Sequence, residues 1–444
     1  MTHRKSFGSY IWAKLEGRNQ LKKVLANSGW LFADKLIRMC VGLAVGVWIA
    51  RYLGVKQFGQ LNFAIAFASL FTALATLGLD QIVIRELVRH PDQKNEILGS
   101  AFALKLMGGL VAFAVVNATI WMVRPTDFLT HWLVGIIAAG MIFQAFDAID
   151  LWFQSQVKSK FTVYAKSTAF LILSAVKVGL ILYGAGLMAF AWTGLAEVVV
   201  GALGLMVAFK SVGSSFGSLE IHWPRMLQLL KESWPLLLSG LAITFYMRID
   251  QVMLGEMLGE HDVGIYSAAL RLSEVWYVIP MVIVSSVMPS FTEARAHSEE
   301  LYYQRLQKLF TYLVRIAYLV AIPMTIIATP LITLLFGTQY SSAGPVLAVH
   351  IWAALFVFLG VARGIYSINE GLNIPVMFGT ISGAILNILL NIILIPRYGA
   401  LGAAIATIFS YGFSDVVFYR FIPSYRKIYK MMLSALTFGI VKAK

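Results

Sequence analysis

Long apolar runs separated by short polar connections are the feature that most constrains this chain of 444 residues. Each run extends over about 20 residues, the length that an α-helix needs to cross the hydrocarbon core of a bilayer. With 59% hydrophobic and 13% charged residues, the chain has more apolar surface than a water-soluble core of this size can bury. Because backbone polar groups must be satisfied within lipid, the sequence predicts an all-α integral membrane protein.

The runs predict about twelve transmembrane helices, at 30–53, 58–80, 98–123, 129–154, 162–183, 187–209, 234–256, 264–288, 309–336, 346–369, 374–395 and 400–420. Most Lys and Arg residues fall in the termini and in the loops after even-numbered helices, so the positive-inside rule places both termini in the cytoplasm. The predicted domains are a basic N-terminal arm (1–29), an N-lobe of six helices (30–209), a cytoplasmic linker (210–233), a C-lobe of six helices (234–421) and a basic C-terminal tail (422–444).

The two predicted lobes share glycine motifs. Two motifs recur at nearly the same spacing, Leu53-Gly54 with Gly59 as Leu258-Gly259 with Gly264, and Tyr183-Gly184-Ala185 as Tyr398-Gly399-Ala400. Since each lobe has an even number of helices, we expect parallel repeats related by an axis along the membrane normal. Transporters built in this way bind their ligand between the repeats.

Ionisable side chains inside the predicted spans are costly to bury, so each suggests a functional role. Asp250 and Glu274 are candidates for ion coupling or gating. Pairing within the membrane, for example of Asp250 with Arg271, is an alternative that the sequence leaves open. Six basic residues are candidates for binding an anionic ligand in a central cavity: Arg38, Lys105, Arg248, Arg271, Arg315 and Arg363.

The sequence predicts no catalytic or metal site and no cofactor. It contains no glycine-rich phosphate loop, and its seven histidines are scattered. The net charge of +14 maps to one predicted membrane face, which favours topology and anionic lipid over nucleic acid as its explanation. Every loop predicted on the outer face is shorter than about a dozen residues, too short for the catalytic loop of a glycan transferase.

Segments from both lobes resemble a known family. The chain resembles the O-antigen and polysaccharide flippases, Wzx-like members of the multidrug/oligosaccharidyl-lipid/polysaccharide (MOP) exporter superfamily, through the segments RYLGVKQFGQLNFA, RIDQVMLGEMLGEHDVGIYSAALRLSEVWYVIP and NILLNIILIPRYGALGAAIATIFSY. This resemblance implies two six-helix lobes in a V, as in the multidrug exporters (MATE proteins), and alternating access. The implied cargo is an undecaprenyl-diphosphate-linked oligosaccharide, exported to the outer leaflet of the cell inner membrane.

The resemblance also implies partners, namely membrane lipids and a polysaccharide polymerase with its chain-length machinery, and the chain is expected to act as a monomer. Lipid II flippases are similar but carry two further C-terminal helices, which disfavours lipid II as cargo. One alternative is a multidrug cation antiporter of the same superfamily, whose cavity should be acidic, whereas here basic residues slightly outnumber acidic ones in the spans. A membrane-embedded lipid-linked glycan transferase is a more distant alternative.

Overall fold

The computed structural model describes residues 7–438, with side chains described for Trp30 and from Asp34 onward. The first six residues of the predicted N-terminal arm and the last six of the predicted tail lie outside the described residues. Within 7–438 the regular secondary structure is helical, with no strand. The predicted all-α class is therefore confirmed.

The N-terminal half of the described chain forms eight helices. They are α1 (Phe7–Ser69), α2 (Thr72–Thr76), α3 (Asp80–Arg89), α4 (Lys94–Val123), α5 (Phe128–Phe143), α6 (Asp147–Ser155), α7 (Lys160–Leu182) and α8 (Leu187–Ser211). No proline interrupts α4, α7 or α8, whose alanine and leucine residues favour helix. A 3₁₀ turn at Gln144–Phe146 separates α5 from α6 within one predicted span.

The C-terminal half forms a second set of eight helices. They are α9 (Trp223–Met257), α10 (Glu260–Glu274), α11 (Val278–His297), α12 (Glu299–Phe336), α13 (Ala343–His350), α14 (Ala353–Asn369), α15 (Asn373–Asp415) and α16 (Arg426–Leu436). A 3₁₀ turn at Val275–Tyr277 separates α10 from α11, and α13 ends two residues before α14. These breaks correspond, at nearly the spacing of the glycine motifs, to the α1–α2 and α5–α6 breaks of the N-terminal half.

Ten helical segments of the described chain are long and apolar enough to cross a membrane. Two of them bend at a glycine with positive φ, at Gly54 (φ 71°) in α1 and at Gly399 (φ 56°) in α15. These bends fall between predicted helices 1 and 2 and between predicted helices 11 and 12. The ten segments, two of them divided in this way, agree approximately with the twelve predicted helices.

The repeated glycines adopt matching backbone conformations. Gly54 has φ 71° and ψ 171°, and its counterpart Gly259 has φ 96° and ψ −179°. Gly184 and its counterpart Gly399 also have positive φ, at 71° and 56°. Such values are accessible to glycine and strained for other residues. The repeated sequence motifs therefore encode repeated left-handed turns at the same end of the bundle.

Parts of the predicted linker and tail are helical and pack against the rest of the protein. Helix α9 begins at Trp223, inside the predicted linker, and continues without interruption into the next membrane segment. The buried Arg225 fixes its start to the N-terminal half, with its Nη1 3.4 Å from a carboxylate oxygen of Glu86. In the tail, α16 packs against α12, and Gln307 donates a hydrogen bond to the Met431 carbonyl at 3.2 Å.

Candidate functional site: a cationic cavity between the two halves

A cavity of about 540 Å³ lies where α1 faces α9 and α10. Arg38 enters it from the N-terminal half, and Arg248, Arg271 and Glu274 enter it from the C-terminal half. We call this space the central cavity. Three arginines and one carboxylate line it, so its lining is cationic, and both halves of the chain contribute to it.

Arg271 is the least compensated of these cations. Among the residues that the structure describes, no carboxylate lies within salt-bridge distance of its guanidinium. The group lies 5.6 Å from the ring centre of Phe58 and against Gly46, where a Cβ atom would come within 1.2 Å of Nη1. Only glycine at position 46 leaves room for the guanidinium, so Gly46 allows Arg271 to lie between the central cavity and the interior of the N-terminal half.

The other two arginines, Arg248 and Arg38, each have a carboxylate neighbour but are only partly neutralised by it. Arg248 Nη2 lies 3.6 Å from a carboxylate oxygen of Glu274, a long contact for an ion pair. Arg38 Nε donates to Asp34 at 2.8 Å, one turn away on the same helix, and Ser167 also donates to Asp34. Arg38 Nη2 is shielded from solvent and has no hydrogen-bond partner in the described part of the chain. Donor capacity thus remains free at the cavity wall.

A second space, of about 240 Å³, lies inside the N-terminal half and shares Arg38 with the central cavity. Gln144, Asp147, Lys166 and Glu197 also line it, and we call it the N-pocket. Its charges are paired, since Lys166 Nζ lies 2.8 Å from Asp147 and Glu197 lies 2.9 Å from Lys177. A third space of about 310 Å³, lined by Lys177 and Arg271, adjoins both.

Asp250 lies beside the central cavity in a buried cluster of neutral groups. Its carboxylate accepts hydrogen bonds from Asn391 at 2.6 Å, Tyr266 at 2.8 Å and Thr407 at 2.5 Å. Asn387 Oδ1 in turn accepts from Asn391 at 2.9 Å. No cation pairs with Asp250 among the described residues, so the sequence-based alternative of an Asp250–Arg271 pair is wrong.

Three of the six predicted cations lie elsewhere than in the central cavity. Lys105 is buried and pairs with Asp80 at 2.5 Å. Arg363 is buried in the C-terminal half, 3.1 Å from Asp415 and 4.0 Å from the ring centre of Tyr419. Arg315 is exposed on α12. The structure therefore brings Arg38, Arg248 and Arg271 together and does not place the other three with them.

Several polar residues of the site were not among the predicted ones. Lys166, Lys177 and Glu197 line the spaces of the N-terminal half, and Gln144 belongs to a stripe that its spacing would assign to helix packing. Lys166 sits in a predicted span and could have been found by the cost of burying its charge. The pairing of Lys177 with Glu197 and the position of Gln144 at the N-pocket depend on packing between helices, for which the sequence gives no signal.

At the Arg124 end of the bundle, the two halves are joined by a cluster of ion pairs. Arg124, just after α4, donates to Glu256 at 2.8 Å and to Glu260 at 2.7 Å, and its guanidinium lies 4.1 Å from the ring centre of Phe63. Burial alone lowers the pKa of Arg124, but hydrogen bonds and charges of Glu260 and Glu256 raise it above its ordinary value. Near this cluster, Tyr340 donates to the Ala50 carbonyl at 2.8 Å.

Asp127 supports Arg124 from the same loop. Burial raises the pKa of its carboxyl, but hydrogen bonds from Thr130 and the charge of Arg124 outweigh burial and hold that pKa below its ordinary value. A carboxyl with a lowered pKa in the folded state contributes stability at neutral pH that is lost as acid protonates it. The loop is thus best fixed when Asp127 is ionised.

The chain matches the model of one known protein family. Residues 24–295, more than half of the chain, match the model of a family described as "Polysaccharide biosynthesis protein". The chain belongs to the polysaccharide biosynthesis protein family. This match confirms the resemblance inferred from the sequence segments.

Two curated proteins similar to this chain are named as a flippase and a transport protein. A probable low-salt glycan biosynthesis flippase, Agl15 of Haloferax volcanii, is 23% identical over 86% of this chain and 79% of its own length. The succinoglycan biosynthesis transport protein ExoT of Rhizobium meliloti is 23% identical over 82% of this chain and 71% of its own. This member of the polysaccharide biosynthesis protein family is therefore similar, over most of its length, to a protein named as a flippase and to one named as a transport protein.

Solved structures show the same fold at low sequence identity. The lipid II flippase MurJ in an inward closed conformation matches with a TM-score of 0.70 and 14% identity, over 94% of this chain and 92% of that chain. An inward-facing MATE family transporter matches with a TM-score of 0.66 and 14% identity, over 91% and 94%. The predicted MATE-like fold class of this family member is confirmed.

Proposed function

We propose that the protein exports an undecaprenyl-diphosphate-linked oligosaccharide from the cytoplasmic to the outer leaflet of the cell inner membrane. The observation that carries the proposal is the central cavity, where Arg38, Arg248 and Arg271 face one carboxylate, Glu274. A diphosphate offers two adjacent anionic groups, and guanidinium groups bind such oxygens with charge-assisted hydrogen bonds. The cargo would replace the long Glu274 contact of Arg248 and give Arg271 its missing counter-ion.

Transport proceeds by alternating access between the halves. The Arg124 end is held together by Arg124 with Glu256 and Glu260, and by Tyr340 with Ala50. In the topology expected from the positive-inside rule, with both termini cytoplasmic, this end faces the outer leaflet. The present conformation then corresponds to a carrier closed on the outer side, which binds its cargo from the cytoplasmic leaflet.

Ion coupling would operate through Asp250, with Glu274 acting as the gate. A carboxylate surrounded by Asn391, Tyr266 and Thr407 and lacking a basic partner suits a proton or a sodium ion. Binding of a cation there would neutralise a buried charge beside the cargo site. Outward movement of about two negative charges is itself downhill by roughly 4–5 kcal/mol across 100 mV, interior negative.

We expect the carrier to work as a monomer and to deliver its cargo to a polysaccharide polymerase. Transport itself forms and breaks no covalent bond. The cationic lining disfavours the alternative of a multidrug cation antiporter, which would need an acidic cavity. In the central cavity three arginines face one acid. An organic cation would therefore be repelled from the site that a lipid diphosphate would occupy.

The experiment replaces two of the central arginines, Arg248 and Arg271, one at a time with a neutral residue. We expect Arg248→Gln and Arg271→Gln to abolish surface glycan in cells that depend on the protein, and lipid-linked oligosaccharide to accumulate on the cytoplasmic leaflet. Arg315→Gln is the matched control, because Arg315 is exposed outside the cavity. Membrane levels of each variant are measured by immunoblot. Normal glycan export in both cavity variants would refute the cationic-cavity mechanism.

A further inference from the structure

The N-pocket differs in charge from the central cavity although the two share Arg38. Lys166 is bound by Asp147 at 2.8 Å and by Asp150 at 2.9 Å, and Glu197 is bound by Lys177 at 2.9 Å. Each charge that lines the N-pocket is therefore already compensated by a neighbour. A second anionic group would meet two carboxylates there, so the pocket is unsuited to phosphate and offers polar contacts to a neutral ligand.

Two polar atoms at this pocket lack partners. Among the residues that the structure describes, Gln144 Oε1 accepts no hydrogen bond and Arg38 Nη2 donates none, and both atoms are shielded from solvent. Leaving such groups unpaired is costly, and a ligand that supplies partners would recover that cost on binding. A hydroxyl group both donates and accepts, so adjacent hydroxyls of one sugar ring can satisfy an amide oxygen and a guanidinium N–H together.

The local backbone sets Gln144 apart from the rest of its helix. Gln144 begins the 3₁₀ turn Gln144–Phe146, where the α-helical hydrogen-bond pattern of α5 stops and α6 has not begun. Short 3₁₀ stretches inside long helices often mark functional positions. Gln154, on the same helical stripe, is exposed instead and donates to Asp150 at 3.1 Å. The two glutamines are therefore chemically identical and structurally distinct.

We propose that the N-pocket binds the sugar next to the diphosphate of the cargo and that Gln144 recognises this sugar. This inference rests on the proposed function, because the diphosphate in the central cavity positions the first sugar. Arg38 forms the boundary, with its guanidinium reaching both spaces. The cationic cavity binds what all lipid-diphosphate cargoes share, and the neutral N-pocket distinguishes one glycan from another.

Binding of two lipids to the purified protein in detergent tests the proposal by native mass spectrometry. The probes are undecaprenyl diphosphate and the lipid-linked glycan extracted from cells that lack the gene. We expect the wild-type protein to bind the glycan-bearing lipid at least about fivefold more tightly, the effect of one or two hydrogen bonds. Gln144→Leu should remove this difference and change the affinity for undecaprenyl diphosphate less than twofold.

Two further variants keep the test decisive. Gly201→Leu fills the N-pocket from α8, where a Cβ atom meets nothing within 4 Å, and should cause the same selective loss. Gln154→Leu is the matched control and should leave both affinities unchanged. If neither Gln144→Leu nor Gly201→Leu lowers the affinity for the glycan-bearing lipid selectively, the sugar assignment is wrong.

The Arg271→Gln variant distinguishes a failure of the proposed function from a failure of this inference. Arg271→Gln should weaken binding of both lipids to a similar extent, because both carry the diphosphate. If Arg271→Gln weakens both and the N-pocket variants weaken neither, the diphosphate site stands and the sugar site falls. If Arg271→Gln leaves binding of undecaprenyl diphosphate unchanged, the cationic-cavity mechanism itself is refuted.

Discussion

Gly46→Ala should separate the stability of the protein from its ability to bind an anionic cargo. The added Cβ would stand 1.2 Å from Arg271 Nη1 and 2.5 Å from its Cζ, so the guanidinium has to leave its position. The obstacle is the mobile end of a side chain and not backbone, so helix packing can persist. Alanine also favours helix over glycine by about 1 kcal/mol, which offsets part of the strain.

The expected loss of binding follows from the contact that Arg271 would make. A hydrogen bond to a charged group contributes about 1.5–3 kcal/mol, and each 1.4 kcal/mol corresponds to a tenfold change in affinity. Gly46→Ala should therefore weaken binding of undecaprenyl diphosphate by about 10- to 150-fold. The melting temperature, measured by a thermal shift assay in the same detergent, should change little.

Gly42→Ala is the matched control for Gly46→Ala. Gly42 lies one turn earlier on α1 and, like Gly46, lines the third space, but its added Cβ would meet only the Phe170 ring at 3.7 Å, an ordinary contact. We expect wild-type binding from this variant. In addition, Gly46→Ala combined with Arg271→Gln should lose no more affinity than Arg271→Gln alone, because both changes act through one guanidinium. Equal binding by Gly46→Ala and Gly42→Ala would refute this account.

Two further predictions concern opening of the carrier and its coupling. Arg124→Gln removes the ion pairs that join the halves and should favour the state open at that end by about 1.5–3 kcal/mol. Spin labels at the exposed Thr126 and His261, in a Cys40→Ser background, should then report a longer distance between the two labels. An unchanged distance distribution would show that the Arg124 ion pairs do not hold this end closed. Asp250→Asn should abolish the response of glycan export to an imposed proton or sodium gradient. Its affinity for the cargo should stay within twofold of the wild-type value. A preserved response would exclude Asp250 as the coupling site.

The membrane helices could be predicted because length and hydropathy alone decide which segments can span a bilayer. Even the bends at Gly54 and Gly399 had a sequence signal, since both glycines belong to the repeated motifs. The 3₁₀ turn at Gln144–Phe146 had none, because no glycine or proline marks it. Such a break depends on contacts with neighbouring helices, which a single sequence does not reveal.

The site was predicted in part for the same reason. Arg38, Arg248 and Arg271 could be selected because a charge deep in a span requires polar surroundings, and a large polar space lies between the halves. The repeat spacing did not predict which cations lie in the cavity. Lys105 and Arg315 are at corresponding positions of predicted helices 3 and 9, yet Lys105 is buried against Asp80 and Arg315 is exposed. The direction in which a helix presents a side chain depends on its packing partners.

The repeated glycine motif also explains how the halves meet. A Cβ atom on Gly59 would come within 1.7 Å of the Glu260 carbonyl oxygen, and one on its counterpart Gly264 within 2.2 Å of the Val55 carbonyl oxygen. Each half thus supplies a glycine that admits the backbone of the other, so the crossing is itself pseudo-symmetric. Beside this crossing, the ring of Phe58 packs against that of Tyr340, with 6.1 Å between the ring centres, in a hydrophobic cluster to which both halves contribute. Opening of the Arg124 end is therefore opposed by this apolar packing together with the ion pairs of Arg124 and the Tyr340 hydrogen bond, and a cargo-driven movement has to break all three.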